Sequence, residues 1–146
     1  MYLLDTNVLS ELRKRRSGKI APAVEAWAGT VDQVDLFLSA VTVMEVEFGI
    51  AQLERRDPRQ AAVLGVWLHD RVMPAFAGRV LPIDAAIALR CARLHVPETR
   101  PERDAWIAAT GLVHDLTVVS RNVADFRGTG VRLVDPWTFG TDGAKE

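Results

Sequence analysis

Five short apolar runs punctuate this chain, and longer stretches with helical spacing stand between them. Tyr2-Leu3-Leu4, Leu36-Phe37-Leu38, Val80-Leu81, Thr117-Val118-Val119 and Val131 to Val134 are the strand candidates. Strands that alternate with helices in this way imply βαβ units and a mainly parallel sheet. The intervening segments carry helix signals of their own. Val8 to Arg16 reads as a helix closed by the cations Arg13, Lys14, Arg15 and Arg16, which complement the carbonyl end of a helix dipole. Pro22 opens a helix that Gly29 stops. Thr42-Val43-Met44-Glu45 fits a capping box and predicts a helix to about Arg56. Asp57-Pro58 begins another through Leu64, Trp67 and Leu68, expected to end before Pro74. Asp84 caps a helix from Ala85 to about His95, and Glu102 to His114 is the last. At 146 residues the chain is the size of one domain, expected over residues 1–137, with a loose Gly- and Thr-rich tail over 138–146.

Charge and composition exclude several function classes. Eighteen Lys+Arg against nineteen Asp+Glu leave a net charge of −1, so any nucleic-acid contact must use a local patch instead of a global field. The single Cys91 rules out an internal disulfide, and its apolar helical setting marks it as a buried filler. His69, His95 and His114 are scattered and lack metal-ligand spacing. The start, MYLLDTNVL, has no basic region and is broken by Asp5 and Asn7, unlike a signal peptide. No run approaches the ~20 apolar residues of a membrane span. A soluble, cytoplasmic protein without a membrane partner is the expectation.

The parallel sheet matters because it gathers distant residues. Strand ends and the starts of the following helices share one rim, where ligands bind in open α/β sheets. Asp5 follows the first strand, and Glu45 falls in the first turn of the helix after the second. Asp104 lies in the first turn of the last helix, and Asn122 and Asp125 follow the Thr117 strand. Each acid alone has a structural reading: Asp5 as a turn residue, Glu45 as a capping-box acceptor, Asp104 as a partner of the helix dipole. Together on one rim they repel, and a divalent cation relieves that repulsion best. An all-oxygen set favours Mg²⁺ or Mn²⁺ over zinc, and a carboxylate-held Mg²⁺ with open water positions suits phosphodiester hydrolysis.

Three segments carry a family resemblance. LLDTNVLSEL at 3–12, SAVTVMEVEFGI at 39–50 and RDAWIAATGLVHDLTVVSRNVADF at 103–126 resemble PIN-domain ribonucleases, above all the VapC-type toxins of bacterial toxin–antitoxin pairs. The likeness runs from about Tyr2 to Trp137 and includes the closing Val134-Asp135-Pro136-Trp137. It implies a PIN-like three-layer α/β/α sandwich around a short, mainly parallel sheet, and a Mg²⁺-dependent endoribonuclease with Mn²⁺ as substitute. Carried over by position, Asp5 and Asp104 would bind the metal directly, and Glu45 directly or through water. Asn122 stands where some members carry Asp, and Asp125 is the nearest remaining carboxylate, so the fourth acidic position and the metal count stay open. Thr6, Asn7 and Ser120 would hold the acids in place by hydrogen bonds.

The resemblance also implies partners: an RNA substrate (tRNA in the first place), a VapB-type antitoxin that presents a basic side chain to the acids, and a second copy in a homodimer. For RNA the candidates are Arg121, within the motif, and Arg13 and Arg16 in the cluster that includes Lys14, Arg15 and Lys19; a solvated helix end is the bland reading of that cluster. Leu64, Trp67 and Leu68 could serve a dimer face or the core, and Trp27 a stacking role or the core. Two other functions compete. A phosphoryl-receiving regulatory domain also has an acidic rim but requires a lysine after a late strand, and Lys14, Lys19 and Lys145 are all misplaced for it. A PIN-fold module that binds RNA or antitoxin with weak or no catalysis is the alternative, suggested by Asn122.

Overall fold

The computed structural model describes residues 1–141. Its five strands are β1 (Tyr2–Leu4), β2 (Leu36–Ser39), β3 (Val80–Leu81), β4 (Thr117–Val119) and β5 (Leu133–Val134). They form one sheet in the order β3-β2-β1-β4-β5, and every neighbouring pair is parallel. The helices are α1 (Thr6–Leu12), α2 (Pro22–Ala28), α3 (Ala40–Glu54), α4 (Pro58–Val66), α5 (Met73–Ala75), α6 (Ala85–Leu94) and α7 (Glu102–His114).

Residue alternation along the strands divides the core into two. Leu4, Leu36, Leu38 and Val119 pack on one face with Val8, Leu9, Trp27, Val46, Ile50, Ala61 and Leu68 from the first four helices and the turn after them. Leu3 and Val118 point the other way, against Ile107 and Ala108 of α7. α6 stacks on α7 through Ile87, Cys91, Ala105 and Ala109. The result is the expected three-layer α/β/α sandwich with a parallel sheet. Cys91 and Trp27 are core residues, as is Leu68, with Leu64 and Trp67 packed partly buried against it. Among the described residues no helix is long and apolar enough to cross a membrane.

Several element boundaries differ from those expected, each for a local reason. α1 begins at Thr6, because Asp5 is its cap, and tightens into a 3₁₀ turn at Arg13–Ser17. α3 begins at Ala40, not at a box starting at Thr42. Ser39, the last residue of β2, caps it by accepting from Val41 N at 3.0 Å. Thr42 is instead fully buried, and its hydroxyl finds no partner among the described residues. Glu45 therefore sits in the second turn of α3. After α4 the chain does not stop before Pro74 but passes through a π-helical turn at Trp67–Val72 into α5. A proline crowds the carbonyl four residues back, and the wider turn ahead of it relieves that contact. Thr138 closes a 3₁₀ turn at Pro136–Thr138, and Thr141 N donates back to Thr138 O at 3.0 Å. The rest of the expected tail lies outside the described residues.

α7 lies so close to the sheet that only glycine fits at its contact point. A Cβ on Gly111 would stand 2.8 Å from Val131 Cγ2 and 3.1 Å from Val118 Cγ2. Gly111→Ala is therefore expected to destabilise the fold. Overpacking of about 1–3 kcal/mol outweighs the ~1 kcal/mol that alanine gains in a helix. Urea unfolding of the variant checks this, and a midpoint equal to or above the parent's would refute it.

Candidate active site

The strand order reverses between β1 and β4, which makes their carboxyl ends the natural binding crevice of the sheet. Asp5 stands there. Its N–H continues the ladder to Val119 O at 2.9 Å, and its side chain is held three times. Oδ1 accepts from Thr6 N at 2.9 Å, capping α1. Oδ2 accepts from Ser120 Oγ at 2.7 Å and from Asn7 Nδ2 at 3.4 Å. Ser120 is fully buried, and its Oγ also accepts from Asn122 N at 3.0 Å and Asn7 Nδ2 at 3.3 Å. Asn7 Oδ1 completes the weave by accepting from Arg121 N at 3.1 Å. Thr6, Asn7 and Ser120 thus each hydrogen-bond to the Asp5 carboxylate.

Glu45 reaches the same rim from α3. Thr6 Oγ1 donates to its Oε1 at 3.2 Å, and Arg103 Nη1 stands 3.7 Å from its Oε2. That guanidinium also lies over the Phe48 ring, 5.3 Å from its centre. Burial, and after it the charge of Asp5, push the Glu45 carboxyl above its ordinary range, against the pull of Thr6 and Arg103. Asp104, in the first turn of α7, is pushed up to about 6. Burial contributes most; the charges of Asp125, Asp5 and Glu45 follow, and nothing among the described residues offsets them. Residues as far apart as Asp5 and Asp125 therefore share one electrostatic site. Of the neighbouring charges, Asp104 feels that of Asp125 most, whereas Asn122 is uncharged. Asn122 contributes its backbone N–H to Ser120.

The chemistry of this donor set fits a hard divalent cation: carboxylate oxygens only, in a negative potential that raises the proton affinity of Asp104 and Glu45. The set is not a finished cage. Among the described residues no group of three or more His, Cys, Asp or Glu side chains stands ready to hold a metal ion.

The basic candidates divide. Lys14 pairs with Glu11 one turn back at 2.9 Å, and Arg15 clamps Glu25 with two bonds of 2.8 Å, which ties the 3₁₀ turn after α1 to α2. Arg13 lies over the Trp67 ring at 5.9 Å, and Arg121 over the Trp137 ring at 5.0 Å. Arg16 and Lys19 are exposed. Two contributors escaped the sequence reading. Arg103 could have been suspected from its place beside Asp104, but its pairing with Glu45 depends on how α3 meets α7. Glu11 gives no sequence signal. It is buried, and accepts from Ala21 N at 2.8 Å as well as from Lys14.

A family model described as the PIN domain matches residues 2–130. The chain belongs to the PIN-domain family. Within it, this PIN domain is 36% identical to the toxin FitB of Neisseria gonorrhoeae over 144 residues, covering 94% of this chain and 99% of that one. It is 35% identical to the VapC ribonuclease Y4jK of Sinorhizobium fredii, over 94% and 98% of the two chains. The crystal structure of FitAcB from Neisseria gonorrhoeae superposes with a TM-score of 0.83 at 34% identity, over 94% of this chain and 99% of that one. A toxin–antitoxin complex from Klebsiella pneumoniae superposes at 0.63 with 26% identity, over 93% and 98%. The PIN domain is thus one of the VapC-type toxins.

The raised pKa of Asp104 carries a stability signature. A carboxyl whose folded pKa exceeds its unfolded one (~3.9) stabilises the fold fully below the unfolded value and loses that contribution as pH rises through about 6. In chelator, the unfolding free energy should accordingly fall between about pH 4 and pH 6. Asp104→Asn should flatten this slope and raise stability at pH 7 by about 1 kcal/mol, after discounting for solvent screening. Denaturation across this pH range is the check; identical profiles for parent and variant would contradict it.

Proposed function

We propose that this PIN domain is the metal-dependent endoribonuclease toxin of a toxin–antitoxin pair, with tRNA as its substrate. The observation that carries the reading is that Asp104 feels the charges of Asp125, Asp5 and Glu45, with Asp5 itself at the crevice between β1 and β4. Similarity to a VapC ribonuclease and to a solved toxin–antitoxin complex supports RNA as substrate and a VapB-type antitoxin as partner. Homodimer formation and a cytoplasmic location belong to the same proposal.

Asp5 and Asp104 would hold Mg²⁺, or Mn²⁺ in its place, with Glu45 binding directly or through water. When bound, the cation polarises a phosphoryl oxygen and makes a nucleophile of water near neutral pH. The remaining steps belong to side chains. Ser120, Thr6 and Asn7 lock Asp5 in one rotamer, so no reorganisation is needed as substrate arrives. Thr6 aims Glu45, and Arg103 holds its second oxygen within the rim. Asp125, exposed on the 3₁₀ turn after β4, can take the proton of an attacking water at its carboxylate. The amide of Asn122 cannot, although its carbonyl oxygen can orient that water.

A second reading, an RNA- or antitoxin-binding module with little catalysis, is favoured by the unfinished donor set and by Asn122. One assay separates the two. Purified antitoxin-free protein is expected to cleave tRNA with Mg²⁺ and to stop in chelator. Asp5→Asn and Asp104→Asn should each lose at least ~100-fold in rate, the scale of a lost electrostatic stabiliser, while circular dichroism shows them folded. RNA binding without cleavage in the parent would establish the module instead, and full activity in both variants would overturn the metal site.

A further inference from the structure

We propose that the recess beside Arg13 and Trp67 is the track along which unpaired RNA leaves the acidic rim; this rests on the ribonuclease reading above. Two concavities meet there. One, of about 300 Å³, is lined by Thr6 and Glu45 at the rim and by Ser10, Arg13 and Trp67. The other, of about 690 Å³, lies between the 3₁₀ turn after α1 and the end of α4, and Arg13 and Trp67 line it too. A strand whose scissile phosphate rests at Asp5 and Glu45 would cross the Arg13–Trp67 pair, which borders both concavities, to reach the larger recess.

That recess is built for a polyanion. Arg13, Lys14, Arg16, Lys19 and Arg71 line it, and no acidic side chain does. Lys14 is engaged by Glu11, but among the described residues Arg13, Arg16, Lys19 and Arg71 have no carboxylate within ion-pair distance. In a chain of net charge −1, this is the local patch that nucleic-acid contact requires. Trp67 packs partly on the core and holds the Arg13 guanidinium over its ring, 5.9 Å from the centre. A guanidinium held beside the ring in this way offers its N–H groups to a phosphate, and its plane can stack on a base. Stacking selects for single strands, since the bases of a duplex are already stacked on one another. Arg13 is thus the contact next to the scissile phosphate, and Arg16, Lys19 and Arg71 follow outward. Trp67 acts as a positioning residue for Arg13.

The test measures binding in chelator, so that catalysis plays no part. Probes are a short mixed-sequence single-stranded RNA, the same sequence as a duplex, and poly-glutamate. Arg16→Gln and Arg71→Gln should each weaken single-strand binding, about ten-fold together at low salt. Each should lower the slope of log affinity against log salt by about 1. Arg90→Gln, an equal loss of charge on exposed α6, should leave the slope unchanged. With Mg²⁺, the two groove variants should raise KM and keep kcat. Unaltered affinity and slope in both variants would overturn the track while leaving the nuclease intact. Equal losses for duplex or poly-glutamate would also overturn it, giving the recess to paired nucleic acid or to an acidic protein segment. Failure of the parent protein to bind any RNA would remove the ribonuclease reading as well.

Discussion

The hydrogen bond from Ser120 Oγ to Asp5 Oδ2, 2.7 Å long and buried, joins the ends of the two strands between which the sheet changes direction. A charged acceptor makes such a bond about twice as strong as a neutral one. It also leaves Ser120 Oγ free to accept from Asn122 N, which sets the path of the chain after β4. The position of Asp125 follows from that path, and through it the potential at Asp104. One buried hydroxyl thus connects the most rigid acid of the rim to its most exposed one.

Asp5 and Asp104 play different parts in this electrostatic arrangement. Asp5 is satisfied by a helix N-terminus, a serine and an asparagine, and functions as a structural hub as well as a candidate ligand. Asp104 has only burial and like charges around it. On the metal-dependent reading proposed above, a cation would meet one carboxylate already fixed and another whose charge is uncompensated.

Much of this was legible in the sequence, for identifiable reasons. The strands announced themselves as apolar runs ending in polar residues, and parallel pairing then required Asp5, Asp104 and the segment after β4 to share an edge. The family motifs at 3–12, 39–50 and 103–126 named the same residues. Boundaries were less readable where two signals overlapped. Ser39 is both strand residue and cap, and the capping-box pattern at Thr42 drew attention three residues too far along. The helix pattern before Pro74 concealed a π turn, since a widened turn keeps the apolar face while changing the hydrogen-bond partner. Contacts between remote surfaces, such as Arg103 with Glu45 or Glu11 with the α2 entrance, had no local pattern to betray them.

The junction of β2 with α3 has no linker: the strand ends at Ser39 and the helix starts at Ala40. Such a joint transmits position without slack. One residue added there would rotate all of α3 by about 100° about its own axis, carrying Glu45 away from its neighbours and Val46 and Ile50 out of the core together.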